Sequence, residues 1–429
     1  MKTLKDFFGP KGEGGQAIVL LAISMMAMLF VVGLAVDAGQ LFVAKRTMQE
    51  AADAAAFAGA VVLYQGGTQA QATAAATADA TRNGFTNSAN VVVTVASPPT
   101  TGAFAGNNRY VQVTIVEQVR TTLVPAEAAF NPVHSRGVAG ADPIHSPFAI
   151  VALKQTGPCI ALGGTGNINV DTAGTNGGMI QANCTGTSIT FGGSGKITDA
   201  DGTRTVGTAS SSGVLPANSL SQNASKQPDP FALFPKPTTA GLPTFGPGFT
   251  VPASACNVAT PLTPGIYTGG ITNNQNCNVY LGNGPFILKG GGFNQNSSSG
   301  VITTVPLGAM LFNTNSSYPA AGGTCGSIQA QSGGGFNLYP MTVGTYAGMA
   351  LYQDAACAAQ MIAIQSNGAY DIHGTLYAPT AVLDLQSQSS MTMHAQIVVS
   401  SINFQSSGDL NVIYDPDGSA LSGLPTLVE

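Results

Sequence analysis

Residues 16–36, with the sequence QAIVLLAISMMAMLFVVGLAV, form an uncharged apolar segment that restricts the environments in which this chain can fold. A helix of this length extends about 31 Å and matches the roughly 30 Å hydrocarbon core of a bilayer. The segment therefore predicts one transmembrane helix. A cleaved secretory signal is the alternative, and it is disfavoured because the apolar core is too long and the helical pattern continues beyond it.

The charges that flank this segment predict its orientation. Lys2, Lys5 and Lys11 precede it, and Asp37 is the first charge after it. The positive-inside rule then places residues 1–15 in the cytosol and the rest of the chain outside the cytoplasmic membrane.

An alanine-rich helical extension is predicted for residues 37–84. Small or apolar residues recur in it at alternating spacings of three and four, which places them on one helix face. The members of this face are Leu41, Ala44, Met48, Ala51, Ala55, Ala58 and Val62. Because small side chains let two backbones approach closely, the face is a candidate helix-packing interface. It packs either on helices of other proteins or on the protein's own globular part.

Residues 12–60 resemble a known module. A Gly-rich start, an apolar span ending in GLAVDAG, a basic pair and the stretch QEAADAAAFAGA are similar to the N-terminal part of the TadG-like Flp (tight adherence) pilus-assembly proteins. The resemblance implies a membrane-anchored component of such a system, with pilus subunits or assembly-machine helices as partners. Gly15 is the candidate processing point. Pilins usually carry a glutamate a few residues after the processed glycine, and Leu20 at that place favours a retained anchor.

The remaining chain is predicted to be mostly β, which makes the fold class α+β. Residues 85–150 contain alternating β-branched and polar stretches and predict a small α+β unit. Residues 151–429 predict a right-handed β-solenoid (parallel β-helix), interrupted by a Pro- and Ser-rich strap at about 209–262. The basis is a repeat of near twenty residues, in which AYDIHGTLYA (369–378) aligns with SMTMHAQIVV (390–399) and then with DLNVIYD (409–415).

Composition excludes some functions and favours others. Only 8% of residues are charged and the net charge is −5, so no basic surface indicates nucleic-acid binding. None of the six cysteines lies in a CxxC pair, and an even number beyond residue 155 favours disulfides in an oxidising compartment. The simplest pairing is sequential, with buried free thiols as the alternative: Cys159 with Cys184, Cys256 with Cys277, and Cys325 with Cys357.

No catalytic, cofactor or metal site is predicted. Asp354, Asp371, Asp384 and Asp409 are scattered in the sequence, and general acid–base chemistry needs clustered groups. The repeat places His373 and His394 about 5 Å apart on the outer face of successive coils. Two imidazoles could share a metal, but a solvated pair of histidines is the preferred interpretation because no third ligand is evident.

These observations lead to three hypotheses about function. The first is a non-enzymatic surface protein of a tight-adherence pilus system, for which carbohydrate or host surfaces are candidate ligands. The second is a membrane-tethered polysaccharide-active enzyme, since many β-helices cleave polysaccharides. The third is an envelope structural protein unconnected with pili.

Overall fold

The computed structural model describes residues 14–65, 67–122, 130–140, 146–172, 178–199, 201–232, 234–330, 333–358, 362–365, 367–421 and 426–428. Most of the basic segment predicted at residues 1–15 lies outside these ranges. The chain divides into two compact units. Unit 1 comprises Met1–Asp142 and Pro425–Glu429, and unit 2 comprises Pro143–Leu424.

Two helices form the helical part of unit 1. Helix α1 runs without interruption over Gly14–Tyr64, and α2 covers Gln69–Arg82. Thr68 begins α2 with a capping box, in which its hydroxyl accepts from the Gln71 N–H and the Gln71 side chain accepts from the Thr68 N–H. Asn83 ends α2, and Gly84 takes the positive φ of +91° that the following turn requires.

An antiparallel sheet with the order β1-β2-β3-β29 completes unit 1. Its strands are β1 (Val91–Ala96), β2 (Tyr110–Arg120), β3 (Phe130–Gly140) and the C-terminal β29 (Thr426–Leu427). Residues 425–429 were predicted to belong to the β-solenoid at 151–429, whereas in the structure Thr426 pairs with Gly140 and Leu427 with Ala139 of unit 1. An unpaired strand edge offers free backbone groups, and β29 occupies the edge of β3.

The core of unit 1 consists largely of alanines. Both helices place small side chains against valines and isoleucines of the sheet, and the set is Ala51, Ala52, Ala55, Ala56, Ala60, Ala72, Ala76 and Ala80. Gly137 of β3 allows the closest approach, because a Cβ there would lie 2.6 Å from the Ala52 carbonyl carbon. The backbone of α1 therefore rests directly on the sheet.

Unit 2 contains a sheet of 25 strands among the described residues. The strands before residue 251 are β4 (Phe148–Ala152), β5 (Ile160–Leu162), β6 (Ile168–Thr172), β7 (Met179–Ala182), β8 (Ile189–Phe191), β9 (Ile197–Asp199), β10 (Thr203–Thr205), β11 (Val214–Leu215), β12 (Leu220–Ser221), β13 (Thr244–Phe245) and β14 (Phe249–Thr250). Those after it are β15 (Gly265–Thr268), β16 (Ile271–Asn273), β17 (Val279–Leu281), β18 (Gly284–Lys289), β19 (Phe293–Gln295), β20 (Val301–Thr304), β21 (Ala309–Thr314), β22 (Ile328–Ala330), β23 (Gly335–Leu338), β24 (Met349–Gln353), β25 (Ile362–Ile364), β26 (Tyr370–Leu385), β27 (Met391–Phe404) and β28 (Leu410–Tyr414).

The strands of unit 2 pair in parallel and form three ladders. Ladder A joins β17, β20, β23, β26, β27, β28, β6, β9 and β11. Ladder B joins β13, β15, β18, β21, β24, β26, β27, β4, β7, β10 and β12. Ladder C joins β14, β16, β19, β22, β25, β26, β27, β5 and β8. The long strands β26 and β27 each contribute to all three ladders.

The predicted register of the repeat is confirmed. Ile372 pairs with Met393 and Met393 with Val412, as the alignment of the three segments requires. Gly374 has a φ of +86° where β26 turns from ladder A into ladder B, a conformation that favours glycine.

The order of coils in unit 2 differs from their order in the sequence. A continuous solenoid would stack each coil on the next one along the chain. Instead the first coil, β4–β6, stacks on the last, because β4 and β5 pair with β27 and β6 pairs with β28. The chain thus enters and leaves unit 2 in the middle of the stack.

A segment without long strands connects the two ends of the stack. Within the predicted strap at 209–262, the strands β11–β14 are part of the ladders, so the name strap is kept here for the longest part without strands, residues 222–232 and 234–243 among those described. This strap covers outward residues of ladder B, where Phe231 is buried against Tyr377. The Lys236 ammonium lies 2.7 Å from the Asp354 carboxylate and holds the strap in place.

The core of unit 2 lies between the ladders. Alternate residues of each strand point inward, and they are mostly isoleucine, leucine, valine and phenylalanine. Phe286, Phe293 and Phe404 are fully buried there. Ladder A is lined outside by polar residues, and this uncovered face carries the ionisable cluster described below.

Candidate functional site

The first part of α1 is built like a membrane span. Every large apolar side chain from Ile18 to Val32 is more than half exposed, so nothing in the described chain covers this surface. By length and composition, α1 is the one helix among the described residues that could cross a bilayer. Exposure of these apolar side chains to water would be unfavourable, whereas in a bilayer they would contact lipid. The 51-residue helix also satisfies its own backbone hydrogen bonds, as a membrane span requires.

Asp37 marks the point where α1 enters the folded unit. Its side chain is buried, and both carboxylate oxygens accept from the Thr122 N–H at 3.0 Å. Further along, the Gln49 side chain donates to the Arg136 carbonyl oxygen at 2.6 Å, and the Lys45 ammonium donates to the His134 carbonyl. These contacts attach one face of α1 to strand β3 and to Thr122, which follows β2.

The predicted helix-packing face divides into a buried and an open part. Met48, Ala51 and Ala55 are buried in the core of unit 1, together with α2 and the sheet. Leu41, Ala44, Ala58 and Val62 are partly exposed. For the buried members the structure shows the second of the two alternatives, namely packing on the protein's own globular part.

A groove of about 690 Å³ lies beside α1 near the end of the span. Val36, Gly39, Val43 and Ala44 form its helical wall, and Phe85 lies on the other side. Val43 is 63% exposed. Of the predicted helix-packing face only Ala44 lines this groove, so the groove follows a neighbouring face of the helix.

The outer face of ladder A brings three ionisable side chains together. His373 and His394 are paired residues of β26 and β27, and their rings stack with centroids 4.5 Å apart and planes 9° apart. The predicted spacing of about 5 Å is thereby supported. Tyr339 extends the stack, with its ring 4.3 Å from that of His373.

Asp371 is the third member of this cluster, which we call the His–Asp cluster. Its Oδ1 lies 2.7 Å from Nδ1 of His394 and 3.1 Å from Nε2 of His373. The first contact is a hydrogen bond, whereas the second falls outside hydrogen-bond geometry and leaves the buried His373 Nε2 without a hydrogen-bond partner among the described residues. Asp371 is thus a third potential donor beside the two histidines, which comparison of the repeat positions did not indicate.

The other three scattered aspartates of this region are used in structural contacts. Asp354 binds Lys236 and also accepts from Thr314. Asp384 accepts from Gln365 and Gln386, and Asp409 accepts from the Asn167 backbone and side chain. Burial raises the pKa of a further carboxyl, that of Asp199, although hydrogen bonds from its own turn oppose the shift.

Comparison with protein families gives one match. Residues 15–62 match the family model described as putative Flp pilus-assembly TadE/G-like. This segment coincides with α1 and ends two residues before the helix does. The N-terminal helix is thus similar to a pilus-assembly segment, which agrees with the resemblance found in the sequence. Searches of curated proteins and of solved structures found no significant match.

The candidate processing point lies inside the TadE/G-like segment. Gly15 is the second residue of α1, and the helix continues through Leu20 without a break. Leu20 is 67% exposed, like its apolar neighbours. The side chain that stands in place of the usual glutamate is therefore one more apolar member of the span.

The six cysteines form the three disulfides of the sequential pairing. Their Cα–Cα distances are 5.9 Å for Cys159–Cys184, 5.8 Å for Cys256–Cys277 and 5.6 Å for Cys325–Cys357. Each bond joins neighbouring coils, because the partners follow strands that are adjacent in one ladder. The disulfides thus reinforce unit 2 along the stacking direction.

One signal for the His–Asp cluster was present in the sequence. In a strand, residues two apart point to the same side, so Asp371 and His373 share the outer face. The repeat then adds His394 beside His373. The contact with Asp371 was missed because only the equivalent positions of the repeat were compared, and not the diagonal neighbours.

Proposed function

We propose that this protein is a membrane-anchored, extracytoplasmic component of a Flp-type (tight adherence) pilus assembly system. One observation carries the proposal. The TadE/G-like match at residues 15–62 falls on a single helix whose first part is an exposed apolar span and whose second part is built into a folded unit. Such a helix connects a membrane rigidly to the domain that it carries.

The proposed orientation has the N-terminus in the cytoplasm and both units outside. The lysines that precede the span support this orientation through the positive-inside rule. The three disulfides give independent support, because stable disulfides form in oxidising compartments outside the cytosol.

Unit 2 is proposed to be a right-handed β-solenoid that the anchor displays at the surface. From β4 to β9 and from β15 to β28 the chain visits ladders B, C and A in a fixed rotation, and this connectivity supports a three-sided coil. Its role would be attachment or structural support, with carbohydrate or host surfaces as ligands. A non-enzymatic role is supported by Asp354, Asp384 and Asp409, whose carboxylates are used in structural hydrogen bonds.

The groove along α1 is proposed to receive a helix of the pilus or of its assembly machine. It lies directly after the span, and its helical wall is formed mostly by small and β-branched residues, which permit close helix packing. The residues of α1 that line the groove lie between Val36 and Thr47, so a partner helix would bind along this stretch.

The proposal is tested by deletion of the gene and complementation in cells that make Flp pili. We expect deletion to reduce piliation, and the full chain to restore it and to remain in carbonate-washed membranes. A chain in which Leu20 and Leu21 are both replaced by lysine should leave the membrane and fail to restore pili. Unchanged piliation after deletion would contradict the proposal and favour an envelope protein unconnected with pili.

Mass spectrometry of the mature N-terminus tests the retained anchor. We expect a form that begins at Met1 in isolated envelopes. A species that begins directly after Gly14 or Gly15 in sheared fibres would show instead that the protein is processed and enters the pilus.

Thiol crosslinking tests the groove, since all native cysteines are in disulfides. Val43→Cys should crosslink to a component of the pilus apparatus that mass spectrometry identifies. Ala38→Cys is the matched control, because Ala38 is also exposed but lies on the opposite side of the helix. Equal crosslinking from both positions would argue against a specific partner in the groove.

A further inference from the structure

The His–Asp cluster brings one carboxylate and two imidazoles together on the outer face of ladder A. Asp371, His373 and His394 contact one another, and their side chains are 38%, 27% and 33% exposed. No lysine or arginine occurs in β26 or β27 to neutralise the carboxylate. The cluster therefore combines one anionic oxygen with two partly exposed imidazoles, of which His373 has its Nε2 buried.

We propose that Asp371, His373 and His394 bind one divalent transition-metal ion, with zinc as the best match. Two imidazole nitrogens and one carboxylate oxygen are the donor set of open zinc sites, in which a fourth position holds water or another ligand. Calcium and magnesium prefer oxygen ligands alone, so the two imidazoles disfavour both ions. The inference goes beyond the proposed function and does not depend on it.

The spacing of the donor atoms supports this assignment. One atom from each side chain can be chosen so that all three lie within 4.8 Å of one another. In a tetrahedral site with bonds of about 2.0–2.1 Å, neighbouring donors are about 3.3 Å apart. The observed distances from Asp371 Oδ1 to Nδ1 of His394 and Nε2 of His373 are 2.7 and 3.1 Å, so this oxygen needs to move only a few tenths of an ångström from each nitrogen.

Binding requires one change in the cluster. Each nitrogen lone pair lies in the plane of its ring, and the two planes are now 9° from parallel. The rings must therefore tilt toward a shared ion. Their partial exposure leaves room for this movement, while the backbone pairing of His373 with His394 holds the two side chains at adjacent positions.

The unpaired Nε2 of His373 favours the binding of a cation by the cluster. Its Nε2 is buried and has no hydrogen-bond partner among the described residues, and an unpaired buried polar atom costs free energy. A metal ion would use this lone pair. Asp371 also lines a cleft of about 330 Å³ with Asn278, Thr303 and Asn337, so an ion held by Asp371 would lie beside an accessible polar surface.

The test uses the full chain in detergent, purified without a histidine tag and stripped with a chelator. Zinc binding is measured by equilibrium dialysis and the metal content by mass spectrometry. We expect one zinc per chain. Cobalt(II) is the spectroscopic probe, and the intense visible absorption of a four-coordinate ion is expected on addition of one equivalent.

The variants separate this site from adventitious binding. Asp371→Asn and His394→Gln should each weaken zinc binding by at least about tenfold and abolish the cobalt spectrum. His134→Gln is the control, because His134 is an exposed histidine of unit 1 and its loss should change neither measurement. Hydrogen exchange of the β26 and β27 peptides verifies that the variants fold.

Two outcomes would overturn the proposal. One is wild-type protein that binds no zinc at micromolar concentration and gives no cobalt spectrum. The other is binding that persists in both site variants while their β26 and β27 peptides exchange as in the wild type. The conservative variant Asp371→Glu should retain binding, which would distinguish ligation from a structural effect.

Discussion

Unit 1 and unit 2 fill their cores in opposite ways. In unit 1, alanines of α1 and Gly137 of β3 bring a helix backbone into direct contact with a sheet. In unit 2, large side chains such as Phe286 and Phe404 fill the space between three ladders. The core of unit 1 therefore has no room for larger side chains, whereas the core of unit 2 depends on the volume of the side chains that fill it. Added atoms should damage unit 1, and removed atoms should damage unit 2.

The largest effect is expected from Phe286→Ala in unit 2. Phe286 is fully buried and its ring lies 5.8 Å from that of Tyr267. Its truncation should lower the free energy of unfolding by about 3–5 kcal/mol, because the cavity cannot close completely. Hydrogen exchange with mass spectrometry should locate the loss in unit 2. Phe57→Ala, at an exposed phenylalanine of α1, is the control, and a similar loss there would break the comparison.

Removal of a coil-to-coil disulfide should come next. The Cys159–Cys184 bond closes a loop with a sequence separation of 25. The double variant Cys159→Ala/Cys184→Ala should lose about 3 kcal/mol, chiefly because the unfolded chain gains freedom. Denaturant unfolding under oxidising conditions measures this. Stability equal to the wild type would show that the ladders alone hold these coils together.

In unit 1 a single added methyl group should be harmful. Gly137→Ala would place its Cβ 2.6 Å from the Ala52 backbone, and the required shift should cost about 1–3 kcal/mol. Gly39→Ala is the matched control, because no atom lies within 4 Å of its added Cβ and alanine favours the helix by up to about 1 kcal/mol. Hydrogen exchange of the β3 peptide should increase in the first variant only. If both substitutions changed the free energy of unfolding in the same direction, the inference that the core of unit 1 has no spare room would be contradicted.

The smallest effect concerns the strap of unit 2. Burial raises the pKa of Asp229, although hydrogen bonds from the Phe231 N–H and the Tyr377 hydroxyl oppose the shift. Between the ordinary aspartate pKa of about 3.9 and the raised value, the folded state binds more protons than the unfolded state. The free energy of unfolding therefore falls as the pH rises through this window.

Asp229→Asn should make this fall shallower, although its single amide oxygen can replace only one of the two carboxylate oxygens that accept from the Phe231 N–H and the Tyr377 hydroxyl. Unfolding followed from pH 4 to pH 7 measures the difference between the variant and the wild type. Asp201→Asn, at an exposed aspartate, is the control. Parallel pH profiles for Asp229→Asn and the wild type would show that this carboxyl does not affect stability.

The local features were predictable from the sequence because they depend on neighbours in the chain. The span, the end of the helical extension near residue 84, the register of β26 with β27 and β28, and the sequential disulfides all follow from composition, spacing or repeats. The histidine stack was predicted for the same reason, since it connects equivalent positions of two consecutive coils.

The features that the sequence did not predict depend on contacts between distant segments. The pairing of β4 with β27 joins residues about 250 apart, and no repeat in the sequence indicates which coil meets which. The sequence could not decide whether the helix face packs on other proteins or on the protein's own globular part. The reason is similar, because Met48 and Ala51 pack on strands more than fifty residues away. The role of Asp371 depended on a diagonal contact between two strands.

The stacking of the first coil of unit 2 on the last has a consequence for biogenesis. As the chain emerges, β4–β12 and β13–β26 can each assemble, but they remain two half-stacks with open apolar edges. Such edges invite aggregation. Only when β27 and β28 arrive, the last strands of the unit to be synthesised, can the halves fuse. A chain truncated before residue 391 would thus lack the strands that join the two half-stacks. The apolar edges of both half-stacks would then be open to aggregation.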